Sequence, residues 1–292
     1  MKMVHVLILI LILFLIVQAS SCNDKTSSSK FVKQFMGSKR GDTVKGLEQV
    51  RIYLSKYGYM SPSTDGHYQR SLDTFNDLNV FDHALKKGIK KFQLFFNTNV
   101  SGILDNETLS IMVKHRFNFP DLVNGTSIKH GMKLVRDPFN NSYFAFLGPK
   151  WSKYSLTWAM HNQMPVIFTE PLESAFKTWH DNSMIFLSKA SSFNTADVKI
   201  YYLKSDRFGD RFAQAFHPPS GTLEFNAEVT WGSIGHPDTI DIESAALHEI
   251  GHILGLDHSE DPSSIMWPFL EKGELRRVLG TDDIHGIFEL YF

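Results

Sequence analysis

The stretch from Asp241 to Trp267, DIESAALHEIGHILGLDHSEDPSSIMW, decides how the rest of this chain is read. Residues four apart on a helix lie above one another, so His248 and His252 project from one face and can share a metal ion, with Glu249 beside them. Leu247, Ile250 and Leu254 follow the i, i+3, i+7 rhythm and give the same helix a separate apolar face to bury. Gly255 falls where the helix should stop. Lacking a Cβ, it can take the left-handed conformation that turns the chain back, and that turn can deliver His258 as a third ligand. Three imidazoles leave one position of a tetrahedral zinc open, the arrangement of catalytic rather than structural sites.

The reaction expected of such a site is hydrolysis of a peptide bond. Zinc lowers the pKa of a bound water from about 15.7 to about 7 and polarises a carbonyl oxygen, while a carboxylate accepts the water's proton and passes it to the departing amine. Glu249 is the candidate for that carboxylate, acting as general base and then acid. H-E-x-x-H alone arises on many helices without any metal. The longer H-E-x-x-H-x-x-G-x-x-H, followed by Met266 in Ser-Ile-Met-Trp-Pro, is far harder to obtain by accident. In that setting Met266 resembles the Met-turn beneath the zinc of metzincins.

Length and composition frame this site. The chain has 292 residues, room for two modest domains. Its formal net charge is -1 and it has no long basic run, so it points neither to nucleic acid nor to an anionic membrane surface. An unbroken apolar run from Val6 to Val17 follows Met-Lys-Met and precedes Gln18-Ala19-Ser20-Ser21. That is the pattern of a cleaved signal peptide over residues 1–20, short for a membrane span, so secretion with no stable membrane anchor is expected, a retained anchor helix being the other reading. The single cysteine, Cys22, excludes an intrachain disulfide. Asn99, Asn106, Asn124 and Asn140 stand in glycosylation sequons, or are simply surface asparagines.

Three helical patterns come first: Val44 to Tyr57, Phe81 to Phe96, and a shorter one capped by Asp105 or Asn106 and running to Met112. They predict a small bundle. Between Phe117 and Asn141 the periodicity weakens around Pro120, Gly125, Gly131 and Pro138, which places a domain boundary there. Beyond it, Tyr154 to Met160, Val198 to Leu203 and Leu223 to Trp231 read as strands and Glu173 to Trp179 as helix. With the metal helix and a last helix from Asp282 to Leu290, this predicts an α/β (α+β) arrangement with a mixed sheet.

These residues resemble a matrixin, a matrix metalloproteinase, and most of all the plant branch of that family. Gly41-Asp42-Thr43-Val44-Lys45-Gly46-Leu47, Phe81-Asp82 through Phe92-Gln93, and Asn99 to Asp105 are similar to its peptidoglycan-binding-like prodomain. Asp241 to His252 is close to the plant zinc helix, and Asp282-Asp283-Ile284 with Gly286-Ile287 resembles the final helix. The resemblance implies a propeptide over 21–136 with a three-helix bundle, and a catalytic domain over 137–292 with a twisted five-stranded sheet and three helices. It implies a monomeric zinc endopeptidase acting on protein or peptide substrates, bound along the strand Ala213 to Phe216. Asp282 and Asp283 would tie the last helix to the Met-turn and to the mature N-terminus.

The departures from the family carry as much information. Where its latency segment places a zinc-ligating cysteine, this chain reads His115-Arg116-Phe117-Asn118-Phe119-Pro120-Asp121. Phenyl cannot ligate zinc, so the prodomain is expected to cover the cleft without locking it. At the family's structural zinc site the matching positions are Lys204, Asp206, Gln214 and about Glu224, and the loop between Asp206 and Gln214 is short. One zinc per chain is therefore expected. Calcium stays open: Asp206, Asp210, Glu224 and Glu228 could regroup around it or be simply solvated. Asn226 and Val229 replace acidic residues, Asp257 stands where glycine is common, and Trp267 where tyrosine is usual. The alternative to an enzyme is a secreted zinc-binding pseudo-protease with a binding or regulatory role.

Overall fold

The computed structural model describes residues 28–60, 77–117, 119–122, 150–209 and 211–292. The expected signal segment, Cys22, Asn118, Asn124, Asn140, Asp210 and the 136/137 junction lie outside these residues.

Among the described residues the N-terminal part packs α1 (Leu47–Lys56), α2 (His83–Phe95) and α3 (Asn106–Met112), with a further helical run over 28–35 ahead of them. Asp82 caps α2 by accepting from Leu85 N, and Asp105 caps α3 by accepting from Thr108 N. The expected stripes are the ones buried: Leu47, Val50 and Leu54 from α1 meet Leu85, Ile89, Phe92 and Phe95 from α2. Tyr53 also points inward but stays half-buried at the margin of this core.

The second part is an α/β sandwich. Its sheet runs in the order β2 (Phe186–Lys189), β1 (Ser155–Met160), β3 (Val198–Leu203), β5 (Thr222–Asn226), β4 (Ala213–Ala215). All neighbours are parallel except β4, which runs antiparallel to β5 along one edge. Helices α4 (Thr169–Asp181) and α5 (Ile242–Leu254) pack together against the sheet, and α6 (Thr281–Tyr291) closes the chain. The predicted strand from Leu223 to Trp231 is two strands: Asn226 ends β5, its side chain accepting from Glu228 N in an Asx turn. Beyond that turn, β6 (Trp231–Gly232) pairs with β7 (Ile240–Asp241) in a separate ribbon.

The two cores exchange aromatic residues across the seam. Phe117, from the end of the N-terminal part, is buried in the second core, while Phe269 from the second part is buried in the first. An antiparallel bridge joins Arg116 to Phe269, and Phe117 N donates to Pro268 O at 2.8 Å. Trp267 turns toward the helical bundle, its ring edge-on to Phe96 at 5.4 Å. No helix among the described residues is long and apolar enough to cross a membrane.

Candidate active site

Asp241 starts the metal helix. Its carboxylate accepts from Ser244 N and Ser244 Oγ and pairs with Arg277, which also reaches Glu243 at 3.1 Å. Every residue of α5 except Glu243 is buried, so the helix has no solvent face to spend on chance histidines. Gly255 ends it at φ 104°, with Gly255 N donating to His252 O and Leu256 N to Gly251 O.

This turn brings His258 to His248 and His252. One ring nitrogen from each of the three lies within 4.8 Å of the others, a geometry that can hold a metal ion. Each Nδ1 faces an acceptor: Ile265 O at 2.8 Å for His248, Leu256 O at 2.7 Å for His252, and Asp121 Oδ1 at 2.8 Å for His258. Those bonds place the proton on Nδ1 and leave the Nε2 lone pairs for a metal. His258 Nε2 is buried and without a hydrogen-bond partner. Burial holds all three imidazoles below their ordinary pKa, the neutral state that ligation requires. The donor set fits zinc: three neutral imidazoles, converging and otherwise satisfied.

Glu249 lies beside the triad, buried under the edge strand. Burial pushes its carboxyl up to about 8, against the pull of the Ala215 N–H and the Arg211 guanidinium. Met266 sits below, 2% exposed. The sequence reading passed over Gly251, between the ligands: a Cβ there would come within 2.3 Å of Met266 Sδ and 3.2 Å of Trp179 Cζ2. Only a hydrogen at this position lets Met266 and α4 approach the helix that carries the histidines. Asp283 fixes the turn from the other side, accepting from Ile265 N, Met266 N, Gly280 N and Ser264 Oγ.

The segment 115–121 lies over this site. The Phe117 ring stacks on His248 at 3.7 Å and 11°, and Phe119 stacks on His252 at 4.5 Å and 26°. A residual space of about 190 Å³ remains between these rings, strand β4 and Glu249. Arg116 and Asp121 form a buried ion pair.

Two of the positions expected to replace the structural zinc site, Gln214 and Glu224, are bonded to each other. Arg211 donates to Gln214 and Gln214 donates to Glu224, while Lys204 pairs with Glu228 at 2.5 Å. Among the described residues, the three histidines are the group of His, Cys, Asp and Glu side chains that could hold a metal. Asp257, which stands where glycine is common, is the least satisfied carboxylate near the site: both oxygens are buried without a hydrogen bond, and His217 Nε2 stands 3.7 Å away. Burial pushes its carboxyl well up.

Comparison with known proteins agrees with this geometry. Residues 150–292 match the family model described as matrixin, and residues 43–112 match one described as a putative peptidoglycan binding domain. The chain is 34% identical to Metalloendoproteinase 2-MMP of Arabidopsis thaliana, over 88% of this chain and 73% of that protein. It is 30% identical to Metalloendoproteinase 1 of Glycine max, over 86% and 83% respectively. Matrix metalloproteinase-16 of Homo sapiens is 28% identical, over 85% of this chain and 42% of its own length. With its helical N-terminal part, its five-stranded sheet and its three converging histidines, the chain belongs to the matrixin family of zinc metalloendopeptidases.

Proposed function

We propose that this is a secreted zinc endopeptidase of extracellular proteins in which His248, His252 and His258 hold the metal and Glu249 is the general base. The observation that carries the reading is the set of three buried imidazoles, each with Nδ1 already bonded, beside a buried carboxylate. Zinc, when bound, supplies Lewis acidity toward the scissile carbonyl and makes a water easier to deprotonate. The Glu249 carboxylate takes that water's proton and returns it to the departing amine nitrogen, so it must be ionised at the start of the cycle. Departure of segment 115–121 would rehydrate it and lower the burial cost that keeps it protonated.

Substrate would lie along β4, whose outer edge has no strand partner among the described residues and offers backbone groups to an extended peptide. The chain is made with a signal peptide over 1–20 and a propeptide over 21–136, leaving a mature enzyme of 137–292. In the uncleaved form the cleft is closed by Phe117 and Phe119 in place of a metal-binding thiol. Asn99 and Asn106 are exposed and suit glycosylation on the secretory route.

The test is cleavage of a quenched peptide library by the zinc-loaded protein after proteolytic removal of the propeptide, alongside Glu249→Ala treated identically. Cleavage that chelators abolish and the variant lacks supports the enzyme. Equal, negligible signals from both would favour a zinc-binding protein without turnover.

A further inference from the structure

His248 and His252 are each oriented by a carbonyl of their own part of the molecule, Ile265 O and Leu256 O. His258 is not. Its Nδ1 partner is Asp121 Oδ1, 137 positions upstream and on the other side of the seam. Asp121 is 3% exposed and His258 2% exposed, so no water competes for this bond in the closed chain.

Asp121 is itself held by the helical part. Its Oδ1 also accepts from Arg116 Nη2 and its Oδ2 from Tyr59 OH, while Asp121 N and Leu122 N both donate to Tyr57 O at 3.1 and 3.2 Å. The Arg116 guanidinium lies 3.5 Å from the Tyr57 ring centre. Gly58, at φ +85°, permits the approach: a Cβ there would stand 1.7 Å from Leu122 O. The carboxylate is thus a fixed point of the bundle, delivered to one imidazole of the metal site.

We propose that Asp121 is a positioning residue for the third metal ligand, so that the uncleaved chain binds zinc more tightly than the cleaved one and zinc in turn tightens the grip of segment 116–122. This rests on the three histidines being the zinc site. A carboxylate on the far nitrogen of a ligating histidine fixes its ring and strengthens it as a donor, and losing such a partner typically costs about 10- to 100-fold in metal affinity. The coupling is reciprocal: whatever factor Asp121 adds to zinc binding, zinc adds to the closed position of Asp121. In a chain with phenylalanine at the covering position, this hydrogen bond ties the propeptide to a metal ligand without a covalent or coordinate link. It favours loading of the metal before the propeptide leaves.

The experiment uses the full-length chain, stripped of metal and titrated with zinc against a chromophoric chelator, with cobalt(II) absorption reporting ligand geometry. Asp121→Asn should bind zinc about 10- to 100-fold more weakly and change the cobalt spectrum. Tyr59→Phe, which removes a bond to the other carboxylate oxygen, should leave both nearly unchanged. In the wild type, amide exchange across 116–122 should slow when zinc is added, a measurement that needs no variant. Equal zinc affinity in Asp121→Asn, or exchange insensitive to zinc, overturns the proposal. Failure of the wild type to bind zinc would instead overturn the reading of the histidines as the metal site.

Discussion

The metal helix with its following turn and the segment that covers it are built on opposite plans. Between Asp241 and Met266 the polar contacts come from the second part of the molecule itself, among them Ser244 on Asp241, Ile265 O on His248, Leu256 O on His252 and Asp283 on the Met-turn, with Asp121 on His258 the exception. The described residues of segment 115–121 form no helix or strand beyond the single bridge at Arg116 and are held by contacts from both parts of the molecule: Tyr57 and Tyr59 on one side, Pro268 and the histidines on the other. A self-contained motif keeps its shape when its surroundings change. A segment defined by two surroundings loses its shape when either one goes, which is the behaviour a removable cover needs.

Four substitutions test that contrast. The largest effect is expected for Glu249→Ala in the processed enzyme: loss of a general base lowers kcat by about 10²- to 10⁴-fold, with zinc content by elemental analysis unchanged. Next comes Asp283→Ala, which strips four donors of their acceptor beneath the site. Buried donors left unpaired cost about 1–3 kcal/mol each before relaxation, so a loss of about 3–4 kcal/mol in denaturant unfolding is expected, with activity falling alongside. Phe117→Ala opens the cover rather than the site. Truncating a buried phenylalanine costs about 3 kcal/mol or more, so uncleaved protein should gain basal peptidase activity by about 10²-fold. The same substitution should leave the processed enzyme untouched, because Phe117 is no longer part of it.

The effect that is smallest per unit step concerns pH. Burial, together with the nearby Asp283, Asp261 and Glu260 carboxylates, pushes Asp282 up to about 7 against the hydrogen bond from Ser259. Its folded pKa lies above the unfolded value, so the folded chain holds an extra proton between about pH 4 and pH 7 and stability declines as pH rises through that window. One such group contributes a slope of about 1.4 kcal/mol per pH unit. Asp282→Asn should flatten the unfolding free energy across this range in urea titrations. An unchanged slope would show that Asp282 is already ionised in the folded chain.

Much of this architecture could be read from the sequence because its signals are local. The histidine spacing, the Gly255 stop and the cap at Asp105 or Asn106 lie within a few residues of what they govern; Gly255 ends its helix, and of the two cap candidates Asp105 is the one used. The single run from Leu223 to Trp231 misled because β-propensity cannot register one Asn226 side chain folding onto its own backbone. Gly251 went unnoticed since its role is set by Met266 and Trp179, which reach it only in three dimensions. Asp121 was visible as the end of the stretch His115 to Asp121, but nothing in that stretch says that its carboxylate ends on His258. The setting of Asp257 was not legible, because an aspartate in place of glycine says nothing about the burial that leaves its oxygens unpaired.

The most direct test of the central claim, a zinc peptidase covered by aromatic rings instead of a thiolate, is the peptidase rate of the full-length protein with and without an organomercurial, compared with the same protein after proteolytic removal of the propeptide. The expected result is a low rate that the mercurial leaves unchanged and that proteolysis raises. A rate that rises with the mercurial alone would contradict it, since Phe117 and Phe119 offer mercury nothing to bind and the rise would trace the cover to the one thiol, Cys22.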